Sequence, residues 1–158
     1  MKVTAIDLAS RHSAAVVLDD SGAIVAEVTL NAGPVDSPWA EKLEQLESFL
    51  REAVVLEAPD LVVVEDVHPF ANVIKPVLRL QGAVLLHAYQ NGWDITFVRV
   101  KEWQGHHGYV KKVKGQTSKG WARKMCDSLG YTPTGINLKE REDLRDAYLI
   151  ARWAQEVL

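Results

Sequence analysis

The chain has 158 residues, with 18 Lys and Arg against 21 Asp and Glu, a formal net charge of −3 and one cysteine. That length suits a single domain, residues 1–158, able to bury about two-thirds of its extended-chain surface, so folding requires neither disulfides nor a structural metal. At 47% hydrophobic and 25% charged it is neither disordered nor collagen-like, and the lone Cys126 excludes an intramolecular bridge and a cysteine-based zinc finger.

Asp7 falls inside the first apolar stretch, which argues against a signal peptide, and no apolar run approaches the roughly 18 residues of a membrane span. A cytoplasmic, reducing setting without membrane contact is the expectation. The charge is unevenly spread. Between Lys101 and Lys124 stand seven basic residues and one acid, a segment of +6 that leaves −9 for the rest. The near-neutral total therefore averages two different surfaces.

In chain order, Val3 to Leu8 reads as a strand apolar on both faces, hence central in a sheet. Ala14 to Leu18 forms a second strand, and Asp19-Asp20-Ser21-Gly22 supplies turn chemistry before a third at Ala23 to Leu30. These three make an antiparallel meander. Ser37 is placed to cap a helix with Pro38 at its first position. Trp39, Leu43, Leu46, Leu50 and Val54 give that helix one apolar stripe. Leu61 to Glu65 is a short β-branched strand, and Val77 to Tyr89 a helix. The apolar residues of this helix run most of the way round, as they would if a dimer partner covered a second face. Ile95 to Val100 is the fifth strand. A basic segment follows, flexible around its glycines, with helix resuming at about Ser118 to Leu129 and again at Lys139 to Val157. The expected fold is α/β, a five-stranded mixed sheet of three antiparallel and two parallel strands with helices on both faces.

Four acids sit where acids are inconvenient. Asp7 interrupts the first strand and Glu65 ends the run Leu61-Val62-Val63-Val64. Burying an unpaired carboxylate costs several kcal/mol or forces it to take up a proton, on the order given by transfer data. Asp143 and Asp146, three apart in the last helix, share a face. Asp7 or Glu65 alone reads equally well as a strand-end acid bonded to backbone N–H groups. The helix pair alone reads as a solvated face with i,i+4 ion pairs. Together they form an ordered pattern, and divalent cations between them would reconcile them with burial; oxygen ligands suit Mg²⁺ or Mn²⁺.

The pattern resembles the RuvC family of Holliday-junction resolvases, within the RNase H-like superfamily. Asp7-x-x-Ser10-Arg11, Glu65 and Asp143-x-x-Asp146-Ala147 resemble that family's acidic tetrad. Leu78-Arg79-Leu80-Gln81-Gly82 is similar to its dimer-packing helix. Val100-Lys101, Lys114-Gly115, Lys119 and Ala122-Arg123-Lys124 are similar to its DNA-contacting segment. The likeness runs in order from Val3 to about Ala154. Leu8-Ala9 replaces the family's usual Pro-Gly, and His68, Phe70 and two prolines fill a loop that the family places near the junction. So compact and divergent a form would suit a phage or prophage enzyme.

The resemblance implies metal-dependent phosphodiester hydrolysis, with two Mg²⁺ about 3.5–4 Å apart activating water and stabilising the leaving oxygen; Mn²⁺ would substitute. Asp7 would bridge both ions, Glu65 would help one and orient the water, and Asp143 and Asp146 would hold the other. Paired nicks in a four-way junction, each leaving a 5′-phosphate and 3′-hydroxyl, imply a homodimer. Debranching of flaps, forks or three-way DNA is the alternative, and a non-catalytic RNase H-like DNA-binding module a weaker one, disfavoured by four intact acids.

Phosphate contacts are expected from Lys101, Lys111, Lys112, Lys114, Lys119, Arg123 and Lys124, with Lys75 and Arg79 as outlying candidates. Trp103, Tyr109 and Trp121 could stack on unpaired bases, although Trp121 on a helix reads more readily as core. His106-His107 read as loop residues without a ligand role, because adjacent side chains rarely converge on one ion. Cys126 reads as packed and unreactive. A branch-migration partner is not readable from the sequence.

Overall fold

A computed structural model describes residues 1–34, 36–67, 74–110 and 115–158. The meander forms as the turn chemistry dictates. Strands β1 (Val3–Asp7), β2 (His12–Leu18) and β3 (Ile24–Asn31) pair antiparallel, with Val3 opposite Leu18 and Val17 opposite Ala26. Asp19 closes the β2–β3 turn, its carboxylate accepting from the backbone N–H groups of Ser21 and Ala23. β4 (Leu61–Asp66) then lies parallel to β1, and β5 (Ile95–Arg99) parallel to β4, giving the order β3-β2-β1-β4-β5.

Five α-helices are described: α1 (Trp39–Leu50), α2 (Ile74–Asn91), α3 (Val100–His106), α4 (Ser118–Ser128) and α5 (Leu138–Val157). Alternation along the central strands explains why they are apolar throughout. Val3, Ala5, Leu61 and Val63 face α4 and α5 across a core that includes Trp103, Trp121, Leu144 and Tyr148. Ile6, Val62 and Val64 face the opposite way, toward Leu46, Phe49 and Leu50 of α1 and Leu80 and Val84 of α2. The sheet with helices on both faces is as the sequence led us to expect.

Three details differ from the sequence reading. First, α1 begins at Trp39, with Pro38 in extended conformation as the N-cap residue and no side-chain cap bond, so Ser37 does not cap it. Second, its buried face is Lys42, Leu46, Phe49 and Leu50, and Leu43 stays exposed. The Lys42 side chain is buried, with its ammonium 5.6 Å from the Trp39 ring centroid. The helix runs on through a π-helical turn, Arg51–Val55, which buries Ala53 and Val54.

Third, the start of the basic segment is helix, not flexible chain. α3 follows β5 directly, and the Glu102 carboxylate accepts from the Arg99 backbone N–H at 2.8 Å, satisfying one end of the helix. Trp103 and Trp121 are buried, 6.2 Å apart by ring centroid, and Tyr109 packs on Trp121 at 5.0 Å. Trp103 and Trp121 are thus core residues out of reach of bases, while half-buried Tyr109 packs at a tilt against Trp121. No helix among the described residues is long and apolar enough to cross a membrane.

Candidate active site

The parallel pairing of β1 with β4 ends at Ile6 opposite Val64, so Asp7 and Glu65 stand side by side one step further on. Both continue the face of Val3, Ala5, Leu61 and Val63, which is the α5 face. Asp143 and Asp146 lie near the beginning of α5, buried at 2% and 8% exposure, and look back at the strand ends. The N-terminus of α5 is fixed by its cap. Asn137 accepts from the Glu140 N–H at 3.0 Å, and Glu140 accepts from the Ile136 N–H at 2.8 Å. Gly135 lets the preceding loop approach, since a Cβ there would come within 2.9 Å of the Arg141 backbone nitrogen. The structure thus brings all four sequence-predicted acids together.

Their electrostatics are those of a charge-dense pocket. The Asp7 carboxyl is pushed well above the usual aspartate value, first by burial and then by Glu65, Asp146 and Asp143. Burial followed by repulsion from Asp146 raises Glu65 from 4.5 to about 7; Lys119 and the Trp103 indole N–H, which comes near without completing a full hydrogen bond, offset part of this. Asp146 is also raised by burial, against the opposing pull of Lys119.

Two lysines answer part of this charge. Lys119 Nζ lies 2.6 Å from Asp146 Oδ2 and 3.8 Å from Asp143 Oδ1, and Lys139 pairs with Asp143. The Lys119 ammonium is held charged by Asp146, Asp7 and Asp143 although burial opposes it. Four carboxylates therefore face two ammonium groups. Asp143 Oδ2 and Asp146 Oδ1 are buried with no hydrogen-bond partner in the structure. Buried orphan carboxylate oxygens of this kind are suited to a hard divalent cation such as Mg²⁺ or Mn²⁺, so the residues fit the metal that the resemblance implies.

The supports of the site are legible in contacts. Gln81 on α2 is buried and donates from Nε2 to the Glu65 carbonyl at 3.1 Å, holding the end of β4. After Asp7, at Leu8-Ala9, the Ser13 hydroxyl bonds both the N–H and the carbonyl of Ala9 at 3.1 Å. Ala9 does not adopt a positive φ, so the turn closes without glycine.

The expected DNA contacts divide into groups. Lys75, Lys101, Arg123 and Lys124 are exposed. Arg79 is also exposed, with its guanidinium 5.2 Å from the Trp39 ring centroid. Lys119 is part of the acid cluster, a role that its sequence position, 27 residues from Asp146, gave no sign of. The Lys139–Asp143 contact is an i,i+4 ion pair of the kind expected for this helix, although the sequence did not assign Lys139 to the site. Lys111, Lys112 and Lys114, with His68, Pro69 and Phe70, lie outside the described residues.

The sheet order, the crossover to β4 and the acids at the strand ends define an RNase H-like fold of the RuvC type. Solved structures agree. RuvC of Thermus thermophilus in complex with a Holliday junction substrate is 18% identical, with a TM-score of 0.74 over 97% of this chain and 91% of that one. The yeast mitochondrial Holliday junction resolvase is 15% identical, with a TM-score of 0.64 over 97% of this chain and 79% of that one. The fowlpox virus resolvase with junction DNA is 12% identical, with a TM-score of 0.58 over 99% of both chains. No protein-family model and no curated protein matches the chain.

Proposed function

We propose that the chain, acting as one domain, is a divalent-metal-dependent endonuclease that resolves four-way DNA junctions as a homodimer. The observation that carries this reading is the gathering of Asp7, Glu65, Asp143 and Asp146 from β1, β4 and α5, with buried orphan oxygens on both helix acids. The fold supports it, since the neighbours named above are junction resolvases or are bound to junction DNA. Asp7, Glu65, Asp143 and Asp146 would hold Mg²⁺ or Mn²⁺, which supplies water activation and leaving-group stabilisation in phosphodiester hydrolysis.

The chain's own groups do the rest. Lys119 pairs with Asp146 and offsets part of the mutual repulsion that raises the acids. Glu65, at the end of β4 beside Asp7, would help hold one ion and orient the attacking water. Exposed Lys75, Lys101, Arg123 and Lys124 would position phosphates without reading bases.

A dimer is supported by α2. Leu78, Leu85, Leu86 and Tyr89 are 51%, 45%, 55% and 87% exposed, an apolar face left uncovered among the described residues. Two copies joined there would supply the two active sites that paired nicking requires. The test is cleavage of labelled four-way, three-way and flap DNA in Mg²⁺ and in EDTA. Symmetric paired nicks in the four-way junction, dependent on metal and lost in Asp7→Asn, are expected. Full activity of Asp7→Asn in Mg²⁺, or preferential cutting of flaps, would overturn the assignment.

A further inference from the structure

At the far end of α5 from the acids, the structure gathers three ligating side chains that the nuclease reading does not use. His106 ends α3, His107 follows it, and Glu156 lies in the last turn of α5. One ligand atom from each lies within 4.8 Å of the others, and this is the one compact group of ligating side chains found among the described residues. Adjacent histidines usually diverge, but here the chain turns out of the helix at His107 and the two rings meet edge to face, 5.0 Å between centroids. Two imidazoles bound to one tetrahedral ion at about 2.0–2.1 Å per nitrogen have centroids about 5 Å apart. The rings already have the separation that a shared ion would impose.

The surroundings are those of a metal site. His107 Nε2 bonds the Leu149 carbonyl oxygen at 2.8 Å, which fixes the ring and leaves its other nitrogen for a ligand. Glu156 Oε1 accepts from Arg152 Nη2 at 2.8 Å, and its Oε2 faces His106 Nε2 at 2.8 Å. An outer partner on a ligating histidine and another on a ligating carboxylate are the usual means of orienting ligands. Burial holds His107 toward its neutral, ligating form, and Glu156 is held ionised by its bonds to His106 and Arg152.

We infer that His106, His107 and Glu156 form a second metal site, which takes a nitrogen-preferring divalent ion such as Zn²⁺ and ties the end of α3 to the last turn of α5. Two nitrogens and one oxygen suit Zn²⁺ and disfavour Mg²⁺, the reverse of the acid cluster. The ion takes the place of the shared proton between His106 and Glu156, and a water completes its coordination. Glu156 lies ten residues beyond Asp146, about 15 Å along the helix axis, so the two sites do not share ligands. The clamp fastens the chain just before Lys111, Lys112 and Lys114 in sequence, and its role is structural.

The site is tested by titrating the full chain with Zn²⁺ in excess Mg²⁺, which occupies the acids, and by reading the visible spectrum of Co²⁺ in its place. One Zn²⁺ per chain and a tetrahedral Co²⁺ spectrum are expected in the wild type and equally in Asp7→Asn. His106→Ala and Glu156→Gln, folded by circular dichroism, should bind Zn²⁺ at least about 100-fold more weakly, beyond the loss expected for an outer-shell group alone. Zn²⁺ binding unchanged in both variants, absent from the wild type, or abolished by Asp7→Asn would overturn the inference. Loss of junction cleavage with Zn²⁺ binding intact would count only against the nuclease reading.

Discussion

Glu65→Gln should stabilise the metal-free protein at alkaline pH and leave it almost unchanged in acid. The Glu65 carboxyl titrates at about 7 in the fold, against an ordinary value of 4.5. Between those two values the folded chain holds a proton that the unfolded chain has released. Stability therefore falls as pH rises through that window, and the full cost is present above about 7. At roughly 1.4 kcal/mol per pH unit, the interval from 4.5 to about 7 amounts to about 3 kcal/mol. Gln keeps the shape and the contact with α2 but removes both the buried charge and its repulsion of Asp146. For a chain of this size about 3 kcal/mol raises the melting temperature by roughly 6–12 °C.

The assay is urea unfolding of wild type and Glu65→Gln in EDTA at pH 5 and at pH 8.5. The variant should gain about 3 kcal/mol at the higher pH and no more than about 1 kcal/mol at the lower, where the folded carboxyl is protonated and only the unfolded one has begun to ionise. Millimolar Mg²⁺ should recover most of the difference for the wild type alone. A variant no more stable than wild type at pH 8.5 would refute the reasoning. So would a gain of equal size at both pH values, because it would come from packing and not from charge.

Asp7→Asn should cut junction cleavage by more than about 100-fold, beyond the loss of an outer-shell group, while gel-shift binding of the junction persists. Leu85→Glu places a charge on the exposed apolar face of α2 and should convert the proposed dimer to a monomer in sedimentation, with the far-UV spectrum unchanged. The double change Arg123→Ala and Lys124→Ala should lower the slope of log K against log salt on duplex arms by up to about 1.8, at roughly 0.9 per phosphate contact. Lys119→Gln should destabilise the metal-free protein at pH 8, where Asp146 and Asp143 lose their nearest shared cation, and Mg²⁺ should restore it.

Much of the architecture was written in short-range pattern. The strands of the central sheet are buried on both faces, so β1 and β4 show as unbroken apolar runs and their terminal acids stand out against them. Asp7 and Glu65 were conspicuous because the local sequence offered nothing to pay for their burial. What stayed hidden depends on contacts across long stretches of chain. α3 has Arg99 in place of a short polar cap residue, and its end is satisfied by Glu102 reaching back, so the usual start signal is missing. The convergence of His106 on Glu156 spans 50 residues. No spacing rule reaches that far, and the nearest sequence cue, two adjacent histidines, points away from a shared ion.

Lys119 shows why a charge count in sequence misleads about partners. Counted along the chain, it is one of seven cations in a segment suited to DNA. In the fold its ammonium is turned inward to Asp146, and the pairing strengthens both charges' ionised forms. A cation held at 2.6 Å by a buried carboxylate releases no counterion from DNA, so it should contribute nothing to the salt dependence of binding. Lys119→Gln and the Arg123, Lys124 double change ought therefore to separate cleanly. The first should alter stability and cleavage with the salt slope intact, and the second should alter the slope with the acid cluster intact. If Lys119→Gln lowered the slope as a surface lysine does, its ammonium would have to leave the acids when DNA binds, and the charge balance drawn for the active site would be wrong.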